Sequence, residues 1–294
     1  MDLLEKLKLI TDEKNIFLNE PMSKHTTFRA GGPADIFVVP KSKQEIIDIL
    51  KLDVKKTVIG NGSNLLVKDG GIRGLVIKVA INNFEVNDNV ITAESGCSLM
   101  RLSNVAMENS LTGMEFACGI PGSLGGALVM NAGAYGAEMK DIVVETEVAD
   151  MNGNVEIITN HEFGYRTSVF QNRGLVVLSS KLKLNYGDKE IIKNQMEEYL
   201  ASRRQKQPLN KPSAGSTFKR PVNNFAGKLI EEAGLKGCSV GDAEVSTLHA
   251  GFIVNNGNAT AKDILDLIEI VKAKVNAEFG VMLEPEVRII GEEK

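Results

Sequence analysis

The run Thr57-Val58-Ile59-Gly60-Asn61-Gly62-Ser63-Asn64-Leu65-Leu66 reads as a β-branched strand that passes directly into a Gly-x-Gly-Ser-Asn turn. Glycines let successive backbone N–H groups curl into a nest, and Ser63 and Asn64 add side-chain donors, a combination suited to a pyrophosphate. A plain hairpin turn would use the same residues. The Rossmann dinucleotide fingerprint does not apply, because the third glycine is missing and Leu65-Leu66-Val67 reads as extended, not helical.

Upstream, Ser42-Lys43-Gln44-Glu45 has the form of a capping box ahead of the apolar Ile46, Ile47 and Leu50. The strand-like run Ile36-Phe37-Val38-Val39 precedes that helix and Thr57-Val58-Ile59 follows it, which predicts a β-α-β unit. Downstream, strands are predicted at 75–79, 90–93, 142–148, 155–158 and 175–184, with a helix near 99–108. The proline-bearing stretch from Gln205 to Pro212 has the composition of a linker. Past it, a helix near 225–233 is stopped by Gly234. A longer one follows over 261–279, with Thr260 and Asp263 as cap signals and Gly280 as terminator. The segment Glu284-Pro285-Glu286-Val287-Arg288-Ile289-Ile290 reads as a last strand.

The 294 residues fit two or three domains, at roughly 100–150 residues each. Hydrophobic residues make up 43% and charged residues 24%, which places the chain among packed globular proteins. No apolar run approaches the roughly 20 residues of a bilayer span, and the opening six residues lack the order of a signal peptide. A cytoplasmic location is expected. Cys97, Cys118 and Cys238 form no ligand spacing with His25, His161 and His249, so neither a disulfide nor a metal site is expected. A net charge of -4 argues against a nucleic-acid partner. Arg203, Arg204, Lys206, Lys211, Lys219, Arg220 and Lys228 nevertheless follow one another without an acid, as a surface for an anion or as an ordinary solvated face.

A second glycine-rich segment runs Gly119-Ile120-Pro121-Gly122-Ser123-Leu124-Gly125-Gly126-Ala127 and continues to Gly136. Each glycine weakens regular structure by roughly 0.5–1 kcal/mol, so close approach of the backbone to a phosphate, a flat ring or another chain segment is the natural compensation. No Gly-Lys-Ser/Thr ending follows either loop, which excludes a P-loop.

In chain order, Asn61-Gly62-Ser63-Asn64, Gly119-Ile120-Pro121-Gly122-Ser123, Tyr165-Arg166, Gly215-Ser216-Thr217-Phe218-Lys219 and Glu286-Val287-Arg288 resemble the motifs of the UDP-N-acetylenolpyruvoylglucosamine reductase family. The likeness covers nearly the whole chain. The first two resemble the FAD-contacting loops of the wider vanillyl-alcohol-oxidase-like superfamily. The resemblance implies an α+β fold, with a two-part FAD-binding region of the vanillyl-alcohol-oxidase/PCMH type and a smaller α+β substrate-binding domain. Expected boundaries are 1–74 and 75–202 for the two FAD subdomains and 203–283 for the substrate domain, with a last strand at 284–291 returning to the second subdomain. The compact third region is similar to the shorter subclass of the family.

What the resemblance implies for chemistry is specific. Non-covalent FAD would contact Gly60, Asn61, Gly62, Ser63, Asn64, Leu65, Gly119, Gly122, Ser123 and Gly126. NADPH would be the hydride donor, and UDP-N-acetyl-3-O-(1-carboxyvinyl)-glucosamine would be reduced to UDP-N-acetylmuramate for peptidoglycan. The catalytic set would be Arg166, Ser216 and Glu286. A fixed guanidinium stabilises an enolate as its charge develops, a protonated carboxyl would donate to the enolate oxygen, and a hydroxyl would give the carbon its proton. Tyr165 and Lys219 are candidate substrate contacts. Arg220 stands where the family often has Asn, which leaves open whether the position keeps a substrate hydrogen bond or supplies charge instead. No obligate protein partner, nucleic acid or membrane insertion is implied. Two other readings use the same residues: an oxidase of the same superfamily, and a module that holds a UDP ligand without catalysis.

Overall fold

Thr57, Val58 and Ile59 fold into the strand Lys56–Ile59, which pairs in parallel with Ile72–Lys78 at Val58↔Ile77. This computed structural model describes residues 2–294. The two strands belong to a four-stranded sheet in the order Ile16–Pro21, Pro33–Val38, Ile72–Lys78, Lys56–Ile59.

The preceding helix, Lys43–Leu50, starts where Ser42 Oγ accepts the Glu45 N–H at 3.1 Å. Glu45 turns its carboxylate to the Lys41 N–H instead of that of Ser42, so the capping box is half closed. At the far end, the carbonyls of Leu50 and Leu52 both accept from Lys56 Nζ at 2.6 Å, which satisfies acceptors that a helix terminus leaves unpaired. Ile46, Ile49 and Leu50 bury their side chains with Leu75 and Ile77. Each such side chain contributes roughly 1.5–3 kcal/mol of transfer free energy.

A five-stranded antiparallel sheet follows, in the order Val155–Ile158, Val143–Ala149, Val176–Lys183, Val90–Glu94, Phe84–Asn87. The helix Leu99–Glu108 packs Leu99, Leu102 and Ala106 into the same core as Ile91, Val148, Val177 and Leu182. The glycine-rich segment is partly helical: Leu124–Val129 forms a short helix despite Gly125 and Gly126, because Leu124, Ala127 and Leu128 are buried. A helix that the sequence reading did not contain, Lys189–Lys206, buries only Ile192 and Met196. It takes in Gln205 and Lys206, so the linker composition begins inside a helix.

The chain divides into two compact units. One comprises Met1–Phe17, Ile36–Asn61 and Gly74–Ser202, and the other Leu18–Asp35, Gly62–Arg73 and Arg203–Lys294. In the second, Ser239–Val240, Ala243–Val245 and Ile253–Asn255 form a three-stranded antiparallel sheet. The helices Ala226–Glu232 and Ala261–Phe279 pack on it through Leu229, Ile230, Ile264, Leu267, Ile268 and Val271. Gly280 ends the long helix in the left-handed region, at φ 66. Its N-terminus is capped twice: Thr260 and Asp263 close a capping box, and Asp69 accepts the N–H groups of Ala261 and Lys262, each at 2.9 Å.

The strand expected at 284–291 is confined to Arg288–Ile290. Its partner is Leu65–Val67, in parallel register at Ile289↔Leu66, and not a strand of 75–202. Pro285 enters only an isolated bridge with Phe218, since it has no N–H for a ladder. Among the described residues no helix is long and apolar enough to cross a membrane.

Candidate functional site

In the second unit, Ser216 and Glu286 are brought to adjacent backbone by what lies beside them. Gly215 takes φ 75, a conformation that a side chain would strain, and leaves Ser216 exposed on the turn. Thr217, the next residue, is fully buried and anchors the loop with three hydrogen bonds. Its N–H donates to Gly251 O at 2.8 Å, its Oγ1 accepts the Ile253 N–H at 3.1 Å, and its carbonyl accepts the Glu286 N–H at 2.8 Å. Phe218 bridges Pro285, and Lys219 donates its N–H to Glu284 O at 2.8 Å. The ladder is short, and it sets Glu286 opposite Thr217, the residue that follows Ser216.

Asn64 joins the same network. Its Nδ2 donates to Glu286 O at 3.2 Å, and its carbonyl accepts the Arg288 N–H at 3.0 Å. A residue read as a cofactor contact thus also holds the catalytic candidate. Lys219 pairs with Glu284 at 3.0 Å, Lys211 with Glu244 and Lys228 with Glu232, so much of the basic stretch is met by carboxylates from outside it. The guanidinium of Arg220 lies 4.1 Å from the ring centroid of Phe225. His249 Nδ1 accepts the Gly251 N–H at 3.1 Å, and its ring meets Phe252 edge-on, which is a structural use.

Arg166 sits in the first unit at the tip of a two-residue turn, Gly164-Tyr165-Arg166-Thr167, closed by reciprocal bonds between Gly164 and Thr167. Its φ of 55 is left-handed, which for a residue with a Cβ costs on the order of 1–3 kcal/mol and is found where surroundings enforce it. The guanidinium lies 5.2 Å from the ring centroid of the half-exposed Tyr165. The carboxyl of Glu138 is held below its ordinary range, chiefly by the hydrogen bond from Lys140, with Asn131 and the charge of Arg166 adding to it.

The glycine loops meet in the first unit. A Cβ on Gly60 would lie 2.6 Å from Ser123 Oγ and would force that hydroxyl to turn away. Beneath the second loop the Gly125 N–H donates to Ser95 O at 2.8 Å, and a Cβ on Gly125 would lie 2.9 Å from Ser95 Cβ. Ser95 Oγ is buried with no hydrogen-bond partner. The first loop enters the second unit at Gly62, where φ is 65 and a Cβ would meet His25 O at 2.0 Å. There the Thr27 N–H donates to Gly62 O at 3.2 Å, and Thr27 Oγ1 is likewise buried without a partner. Buried hydroxyls rarely stay unsatisfied. Each unit thus has an orphaned hydroxyl beside backbone stripped of side chains, and the phosphate and ring acceptors of FAD fit a donor of that kind.

Sequence reasoning missed Ser95 and Thr27, together with Asn131 and Gln171 near Arg166. The pair Gly31-Gly32 after Thr26-Thr27 carried a signal of the kind that marked the other loops: a Cβ on Gly32 would lie 2.1 Å from Asp69 O. Asn131 carried none, since an isolated Asn beside glycines reads as a turn.

Comparison with known proteins places these residues among relatives. Residues 34–159 match the family model described as FAD binding domain, and residues 207–290 match UDP-N-acetylenolpyruvoylglucosamine reductase, C-terminal domain. The UDP-N-acetylenolpyruvoylglucosamine reductase of Caldanaerobacter subterraneus subsp. tengcongensis is 52% identical over 297 residues, covering 99% of this chain and 98% of that one. The crystal structure of the UDP-N-acetylenolpyruvylglucosamine reductase of Thermus caldophilus superposes with a TM-score of 0.81 at 37% identity, over 93% of this chain and 97% of that one. The glucose dehydrogenase Phl p 4.0202, at 13% identity and a TM-score of 0.52, shares the fold over 64% of this chain and 45% of its own.

Proposed function

The chain belongs to the UDP-N-acetylenolpyruvoylglucosamine reductase family, and on that premise we propose that it is an FAD-dependent oxidoreductase of peptidoglycan synthesis. It uses NADPH to reduce the enolpyruvyl ether of UDP-N-acetyl-3-O-(1-carboxyvinyl)-glucosamine to the lactyl ether of UDP-N-acetylmuramate, in the cytoplasm. In this reading 1–74 and 75–202 hold the cofactor and 203–283 the substrate. The observation that carries the proposal is the Thr217–Glu286 hydrogen bond, which brings Glu286 to the residue next to Ser216 although seventy residues separate the two.

FAD, when bound, supplies the hydride that reaches the terminal alkene carbon. Gly60, Asn61, Ser123 and Gly126 would hold it, with the hydroxyl of Ser95 as a donor. Arg166 offsets the negative charge that collects on the substrate carboxylate as the neighbouring carbon becomes an enolate, and its planar fork matches that carboxylate. Glu286 is given the role of stabilising the enolate oxygen, on a backbone fixed by Thr217 and Asn64. Ser216 Oγ gives its proton to the enolate carbon and is reprotonated from solvent. A hydroxyl suffices because the enolate is a strong base.

The test is the visible spectrum of the purified holoprotein. NADPH should bleach it, and the enolpyruvyl UDP-sugar should restore it in the absence of oxygen. Bleaching without restoration would sink the substrate assignment, and oxygen consumption with sugar alcohols would favour an oxidase.

A further inference from the structure

The two carbonyls that flank the tip of the Arg166 turn are each held by a side-chain amide. Asn131 Nδ2 donates to Gly164 O at 3.0 Å, and Gln171 Nε2 donates to Arg166 O at 3.0 Å. Both amides are tied to the end of the short helix in the glycine-rich segment. Gln171 Nε2 also donates to Val129 O at 2.6 Å, where Ser168 Oγ donates at 2.8 Å, and Asn131 follows that helix two residues on. The segment that touches Gly60 and the turn that carries Arg166 are thereby joined through side chains within one unit.

Asn131 itself is built for this. It is fully buried, it adopts φ 42, and Asn is among the few residues other than glycine that tolerate that region. Its second Nδ2 hydrogen goes to Glu138 Oε2 at 3.0 Å, and its Oδ1 accepts the Lys140 N–H at 3.0 Å. The amide therefore holds three neighbours at once, one of them the backbone of the Arg166 turn.

We propose that Asn131 and Gln171 are positioning residues for Arg166, clamping the Tyr165-Arg166 turn in register with the Gly119–Gly126 segment. The proposal rests on the charge-stabilising role given to Arg166 above. Glu138, which Asn131 and Lys140 fix in place, adds a carboxylate whose charge is felt at Arg166. Tightness matters here, because displacing a charge-stabilising group by about 1 Å costs on the order of 10²-fold in rate.

The experiment uses Asn131→Gly, which keeps the left-handed backbone and removes the amide, and Gln171→Leu, which keeps the bulk. Both holoproteins should show the parent flavin spectrum and be reduced by NADPH at the parent rate. Reoxidation by the enolpyruvyl UDP-sugar should fall on the order of 10²-fold, in kcat and not in KM. In the flavin-free proteins, amide hydrogen exchange at Gly164 and Thr167 should accelerate. Combining either change with Arg166→Ala should add no further loss, since the amides act through that arginine. A parent rate of reoxidation, additive losses in the double variants, or equal slowing of both half-reactions overturns the proposal. Arg166→Ala alone without effect overturns the role of Arg166 instead, and the exchange rates at Gly164 and Thr167 then still decide whether the clamp exists.

Discussion

The backbone N–H of Glu286 donates to the carbonyl of Thr217 at 2.8 Å, and this bond fixes Glu286 against the residue that follows Ser216. Replacing Ser216 by Ala leaves it intact. The variant should therefore keep flavin and bind the UDP-sugar, while turnover falls by about 10²–10⁴, the scale of a lost general acid. Single-turnover reoxidation of the reduced flavin checks this, and an unchanged rate would remove Ser216 from the mechanism.

Thr217→Val keeps shape and removes the Oγ1 that accepts the Ile253 N–H in a fully buried position. An unpaired buried donor costs about 1–3 kcal/mol, so urea unfolding should shift by that amount. Thr217→Ser, which restores the acceptor, should lie closer to the parent. Equal losses in both variants would attribute the effect to packing instead.

Asp69→Ala should destabilise the second unit by about 0.5–2 kcal/mol, because it removes the acceptor for two N–H groups at the start of helix Ala261–Phe279. Asp69→Asn retains an acceptor oxygen and should cost less. Denaturant melts of the two variants provide the comparison, and equal stability for Asp69→Ala and parent would mean that Thr260 caps the helix alone.

Burial depresses the pKa of His161 from its ordinary 6.5. Its Nε2 meets Thr146 Oγ1 at 3.0 Å, Thr146 meets Ser180 Oγ, and Ser180 donates to Glu145 O, a chain of hydroxyls that makes the ring the donor to Thr146. The unfolded chain binds the proton more readily than the folded one, so the contribution of His161 is fully present above pH 6.5 and is lost as pH falls toward the depressed folded value. His161→Gln should flatten the acid side of a stability-against-pH curve measured by urea unfolding between pH 5 and 8. Parallel curves for parent and variant would show that other groups set that slope.

Regular elements with strong periodicity were legible in the sequence. Leu99–Glu108 and Ala261–Phe279 carry both cap signals and apolar faces, and they occur where the pattern puts them. Lys189–Lys206 escaped because two buried side chains make too narrow a stripe to read, although Asp188 before it accepts the N–H groups of Glu190 and Ile191. The glycine loops were legible as unusual backbone, but their partners were not. Ser95 and Thr27 matter through lost hydrogen-bond partners, and Asn131 through three neighbours distant in sequence or hidden in turns. Pairing of Leu65–Val67 with Arg288–Ile290 is equally invisible to local pattern, since any short apolar strand fits the description.

That pairing has a consequence in time. During synthesis Leu65–Val67 leaves the ribosome about 220 residues before Arg288–Ile290, an interval on the order of 10–45 s at the usual pace of translation. Throughout it, one edge of Leu65–Val67 lacks its native neighbour, as does the Asn64 side-chain amide that donates to Glu286 O. The nascent chain therefore carries an open strand edge, a template for wrong pairing, until Arg288–Ile290 emerges.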